Sequence, residues 1–216
     1  MTSNILNFRD CTLAQLDELF ELNHKAKEQT LIGWLNCTAE ITDFERQSLL
    51  LFQDLLKKNV HDWNEFDLIQ NFIGPVFVLV SFSTDKFNLF AERTFSGIVD
   101  GVKMMGKPDN MIASGFRKPK KPYFCFQEYK KETAPDKDPA GQVLAAMLVA
   151  QEINEYKHPV YGCYVQGRNW FFITLQNKTY SISDGHIATR DDIFDIFRVL
   201  KMLKQIITDL CNDYIR

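Results

Sequence analysis

Three residues in the middle of this chain have the types and the spacing for phosphodiester chemistry. Asp109 follows a Gly-Lys-Pro turn in the segment GKPDNMIASG, and Glu128 and Lys130 come eighteen intervening residues later, inside PYFCFQEYKKE. Strand side chains alternate between faces, so Phe124, Phe126, Glu128 and Lys130 are expected to point the same way. The two phenylalanines mark that face as a core face. A carboxylate and an ammonium at its end are costly to bury unless they pair or bind an ion. Two carboxylates can hold a hard cation through oxygen ligands. Such a cation polarises a phosphoryl group and lowers the pKa of water, and a neighbouring lysine positions that water and offsets developing charge. The plain alternative is a Glu128–Lys130 salt bridge on a strand, with Asp109 as a turn former after proline. On the Glu128–Lys130 pair alone the salt bridge is the preferred reading; a metal site, with Asp109 and Glu128 as ligands of Mg²⁺ or Mn²⁺, needs further matching features to be favoured over it.

The elements around these residues follow from period and caps. Thr12 with Gln15 opens a helix over 12–28, with Leu13, Leu16, Leu19 and Phe20 at helical spacing. Thr42 with Glu45 opens a second over 43–58, and Asp62 with Glu65 a third, which Gly74-Pro75 kinks or ends. The VFVLVSF run that follows reads equally as helix or strand. Segments 89–105, 108–114 and 123–130 read as strands. Asp138-Pro139 supplies an N-cap and a first-turn proline for the helix AGQVLAAMLVAQEINEY. VYGCYV and NWFFITL flank a Gly167-Arg168 hairpin turn, TYSI is a short strand, and Thr189 with Asp192 starts a last amphipathic helix over 189–214. This order predicts an α/β or α+β sheet with helices packed on it. It reads as a single domain: a helical extension over 1–60, a core over 60–182, and the C-terminal helix.

Asp109 behind a literal Pro108, then Glu128-Tyr129-Lys130, resembles the signature of the PD-(D/E)xK nuclease superfamily. The VYGCYVQGRNWFFITL hairpin is similar to the Tyr-Gly/Gly-Arg-x-Trp stretch of the nuclease domain in type I restriction subunits, and the whole chain looks like a bacterial family built on that core. The resemblance implies a restriction-endonuclease-like mixed sheet flanked by helices, Mg²⁺-dependent DNA cleavage, and three central residues at Asp109, Glu128 and Lys130. It also implies an acid on the helix before the sheet, for which Glu65 is the candidate and Glu92 the rival. A glutamine in the first turn of the helix after the lysine strand falls on Gln142. For Glu65 the capping-box role with Asp62 competes; for Gln142, a solvated helix position does.

The charge pattern singles out one more feature. The net charge is −3, but residues 76–131 hold ten basic and five acidic side chains, against six and twelve in residues 1–75. Arg117, Lys118, Lys120 and Lys121 form a basic loop just before the Glu128 strand, and are expected to contact a DNA backbone. The five cysteines have no pairing pattern and read as buried thiols of a reducing cytoplasm. The four histidines have no ligand-like spacing. The N-terminus carries no secretory pattern, no apolar run reaches the roughly 18 residues of a membrane span, and no glycine stretch forms a phosphate-cradling loop. A cytoplasmic nuclease is therefore expected, working with DNA and either a second copy of itself or a larger defence or repair complex. The competing class is a non-catalytic nucleic-acid-binding or protein-interaction module that keeps the fold.

Overall fold

The computed structural model describes residues 5–36, 38–133 and 138–213. The protein is a mixed α/β structure built on a large mixed sheet flanked by helices. In chain order the elements are β1 (Ile5–Asn7), α1 (Leu13–Phe20), β2 (Asn23–His24), α2 (Gln29–Leu35), α3 (Asp43–Asn59), α4 (Glu65–Leu68) and α5 (Gly74–Val80). The strands β3 (Phe87–Ala91), β4 (Phe95–Val99), β5 (Val102–Gly106), β6 (Asn110–Ser114) and β7 (Lys120–Lys130) follow. Then come α6 (Pro139–Ile153), β8 (Val160–Gln166), β9 (Asn169–Gln176), β10 (Thr179–Ile182), β11 (His186–Ile187) and α7 (Asp192–Asp213). The large sheet runs β2-β10-β9-β8-β7-β6-β3, with β11 also on β9; a second sheet runs β1-β5-β4.

β3, β6 and β7 pair antiparallel, whereas β7 and β8 are parallel neighbours joined through α6. That crossover makes α6 the centre of the molecule. It lies between the large sheet and the small one, so its residues from Ala140 to Gln151 are all buried, and its sequence is apolar all round rather than striped. Gly97 of β4 is where the small sheet meets it: a Cβ there would fall 2.7 Å from Val149 Cγ1. The opposite face of the large sheet packs Trp170, Phe172 and Tyr129 against α2, α3, α5 and α7. Trp34 of α2 donates its indole N–H to Val199 O at 2.9 Å, tying α2 to α7.

Local capping chemistry is largely as expected. Thr42 and Glu45 form the capping box of α3. Asp138 caps α6 by accepting from Gly141 N at 2.9 Å, and its other oxygen accepts from Leu13 N at 2.8 Å, so one carboxylate serves two helix starts. Several boundaries differ. α1 stops at Phe20, where Glu21 turns left-handed with φ 51°; the chain then adds β2 to the sheet edge before α2. The segment over 1–60 is thus not purely helical, since β1 and β2 both extend sheets. The third helix starts two residues later than expected: Asn64 and Asp67 make its capping box, which frees Glu65 from Asp62.

VFVLVSF is helical as far as Val80. Pro75 neither ends nor interrupts it, because a wide π turn over Ile69–Ile73 precedes the proline, which has no N–H to give. The run 89–105 is three strands in two sheets, β4 and β5 being a hairpin turned at Asp100-Gly101. Asp192 is held by Ile187, whose N–H it accepts at 2.8 Å, rather than by Thr189. The end of the last helix at residue 214 and Cys37 lie outside the described residues; Cys11, Cys125, Cys163 and Cys211 are free and buried. No helix among the described residues is long and apolar enough to cross a membrane.

Candidate functional site

Asp109 and Glu128 are brought together by strand pairing. β6 and β7 run antiparallel with Asn110 opposite Gln127, so Asp109, just before β6, lies beside Glu128 near the end of β7. Asp109 Oδ2 accepts the backbone N–H of Tyr129 at 2.6 Å, which fixes its carboxylate across the strand pair. Asn110 donates to Tyr129 Oη at 2.9 Å beneath it. Glu128 and Lys130 then follow alternation: Lys130 Nζ donates to Glu128 Oε1 at 2.6 Å and to Tyr129 O at 3.0 Å. Both are buried, and Glu65 Oε1 at the start of α4 stands 3.9 Å from the same ammonium.

The shared face expected for this strand fails at one position. Ile112 pairs with Cys125 but Ala113 with Tyr123, so Phe124 is an extra residue of a β-bulge. It turns to the opposite core, against Phe87 and His158, while Phe126 keeps the face of Glu128 and packs on Phe95. Both faces of β7 are core, so the bulge changes which core each phenylalanine fills without exposing either.

Glu65, Asp109, Glu128, Lys130 and Gln142 line one cavity of about 480 Å³. Gln142 reaches it from the first turn of α6; it is 4% exposed, and its Nε2 is a buried donor with no hydrogen-bond partner among the described residues. The solvated alternative for Gln142 is therefore wrong. Glu92, the rival acid, is exposed and outside the lining; its N–H donates to Asp109 O at 2.9 Å. Sequence reading missed most of the other wall: Asn7, Phe8, Arg9, Thr94 and Met105, which the Gly106-Lys107-Pro108 turn before Asp109 completes. None of the five lay close enough to a motif to be noticed.

Three carboxylates share a single ammonium here, and the acidities reflect it. Burial raises the pKa of Asp109, against the Tyr129 N–H and Lys130, which lower it. Burial, and then the charge of Asp109, push Glu128 up to about 7 despite the Lys130 contact. Burial opposes the Lys130 ammonium, but Glu128, Asp109 and Glu65 outweigh it and hold its pKa above the ordinary value. The site is short of positive charge. Among the described residues no three carboxylate, histidine or cysteine side chains form a ready cage for a metal. Mg²⁺ does not need one, since it is typically held by one or two carboxylates together with waters and substrate phosphates. Asp109 and Glu128, both raised by burial and by neighbouring carboxylates, suit that role.

The basic loop is elsewhere. Arg117, Lys118, Lys120 and Lys121 lie at the β6–β7 turn, at the far end of β7 from Glu128 and Lys130. Ten residues of strand separate Lys120 from Lys130, roughly 30 Å at the usual rise. Lys121 is paired with Glu155 at 2.5 Å. At the near end, the β8–β9 turn closes over the site strand: Gly167 N donates to Lys130 O at 2.9 Å, and Arg168 N and Nε bind Glu132 at 3.0 and 2.7 Å. Neither a family model nor a curated protein matches this sequence.

Proposed function

We propose that the protein is a Mg²⁺- or Mn²⁺-dependent nuclease that hydrolyses phosphodiester bonds in DNA, of the PD-(D/E)xK type. The observation that carries this reading is the convergence of Asp109, Glu128 and Lys130, with Glu65 and Gln142, on one cavity. The antiparallel β3-β6-β7 set followed by the α6 crossover into parallel β8 supports the restriction-endonuclease-like fold that the resemblance implies. A divalent cation bound by Asp109 and Glu128 would supply Lewis-acid polarisation of the phosphoryl oxygen and a more acidic water.

The chain's own residues do the rest. The Tyr129 amide holds Asp109 in one orientation. Lys130 holds Glu128 and presents an ammonium, with three donors in all, to the negative charge that grows on the phosphoryl oxygens. Gln142 Nε2, buried and unpaired, is placed to donate to a substrate oxygen in the same cavity. Arg9 and Lys107 add positive charge to the lining that meets the backbone.

Calorimetry with Mn²⁺ alongside a DNA cleavage assay tests the reading, with wild type compared to Lys130→Ala. We expect wild-type cleavage, lost on the order of 10²–10⁴-fold in Lys130→Ala, with metal still bound. Equal cleavage by both preparations assigns the activity to a contaminant. No cleavage and no metal binding in the wild type leaves the non-catalytic interaction module.

A further inference from the structure

The carboxylate cavity is walled on two sides. One wall is β7 and α6, with Glu128, Lys130 and Gln142. The other comes from the small sheet and its connections: Asn7 at the end of β1 with Phe8 and Arg9 after it, Thr94 before β4, and Met105 to Pro108 at the end of β5 and just beyond. The small sheet anchors this second wall. β1 pairs in parallel with β5 from Ile5 opposite Lys103 to Asn7 opposite Met105. Phe8 is buried and lies so close over Gly106 that a Cβ there would come within 2.5 Å of its ring. The sheet is in turn seated on α6 through Gly97 and Val149.

The space between the walls is about 480 Å³. That is the size of a site for a compact ligand, on the order of one or two nucleotides. A space of that size encloses a short stretch of one strand between the walls, and not the two paired strands of a duplex. The lining also has what one strand needs: the unpaired Gln142 amide deep in the cavity, 4% exposed, and two exposed cations, Arg9 and Lys107. From this geometry we infer that the substrate is a single nucleic-acid strand, presented as a free end, flap or overhang, and not an intact duplex. The inference rests on the nuclease reading for its chemistry and on the cavity for its selectivity.

The test uses three labelled probes: a blunt duplex, the same duplex with a single-stranded overhang, and the single strand alone. Binding is followed by anisotropy in Ca²⁺, and cleavage separately in Mg²⁺. We expect the strand and the overhang to bind at least about 10-fold tighter than the blunt duplex, and cleavage to stop near the junction. In an Arg9→Ala, Lys107→Ala variant, both substitutions being at exposed positions, the salt dependence of strand binding should flatten by about 1.4 slope units, about 0.7 for each lost phosphate contact. Equal affinity for the blunt duplex, with cuts inside it, overturns the inference and leaves the nuclease reading standing. Strand-selective binding with no cleavage of any probe upholds the strand-selective cavity and removes the nuclease reading.

Discussion

Replacing Glu128 with Gln is expected to destroy activity and, in metal-free buffer above neutral pH, to stabilise the fold. Burial beside Asp109 raises this carboxyl from 4.5 to about 7. One pKa unit corresponds to about 1.4 kcal/mol. Around pH 8 the group is ionised in both the folded and the unfolded chain, and the folded chain then carries a penalty of about 3 kcal/mol. The sign follows from the direction of the shift. A raised carboxyl binds its proton more tightly when folded, so the penalty is absent below about pH 4.5, grows as pH rises toward 7, and is flat above. Gln keeps an acceptor for Lys130 but not the charge, and the weaker contact costs about 1 kcal/mol. The net gain is about 2 kcal/mol, or roughly 4–8 °C in Tm for a chain of this size. Thermal melts of both proteins in a chelator, around pH 5 and pH 8, measure it. Glu128→Gln less stable than wild type at the higher pH, or a difference unchanged between the two, would refute the account of the site as short of positive charge.

Asp138→Ala should cost about 2 kcal/mol in urea unfolding, because it uncaps α6 and also strands the Leu13 N–H, while Asp138→Asn, with one acceptor oxygen in place of two, keeps only one of the two contacts and recovers no more than about half. Gly162→Ala should cost about 1–3 kcal/mol by overpacking, since the new Cβ would lie 2.6 Å from Ile173 Cγ2 and 2.7 Å from Met147 Sδ. Changing Lys118, Lys120 and Lys121 together to Ala should leave the cleavage rate of a short strand unchanged, since the β6–β7 turn is at the wrong end of β7; a rate loss of about 10-fold or more would show that the turn reaches the substrate. Burial holds the His158 pKa below its ordinary value of 6.5. The unfolded chain therefore takes up this proton first, and stability falls as pH drops below about 6.5; urea titrations should find that fall shallower in His158→Leu.

What depends on near neighbours along the chain could be read before any fold was known. The Thr42–Glu45 box and the Asp138-Pro139 start were legible because a cap is satisfied within three residues. The adjacency of Asp109 and Glu128 was legible because consecutive strand segments joined by a short turn usually pair. The Asp100-Gly101 hairpin carried its signal too, with φ of 46° and 82°, but the flanking apolar run read as one strand. Long-range pairing and packing set the rest. The bulge at Phe124 is set by the β6–β7 register, which no single strand's alternation encodes. The basic loop is near Glu128 in sequence and far from it in space, because an extended strand converts each residue into about 3.3 Å of distance. Conversely, Phe8 and Arg9 stand across the cavity from a glutamate some 120 positions away. Parallel pairing of β1 with β5 puts them there, and that pairing pays its loop-closure entropy only when the small sheet can bury its face on α6.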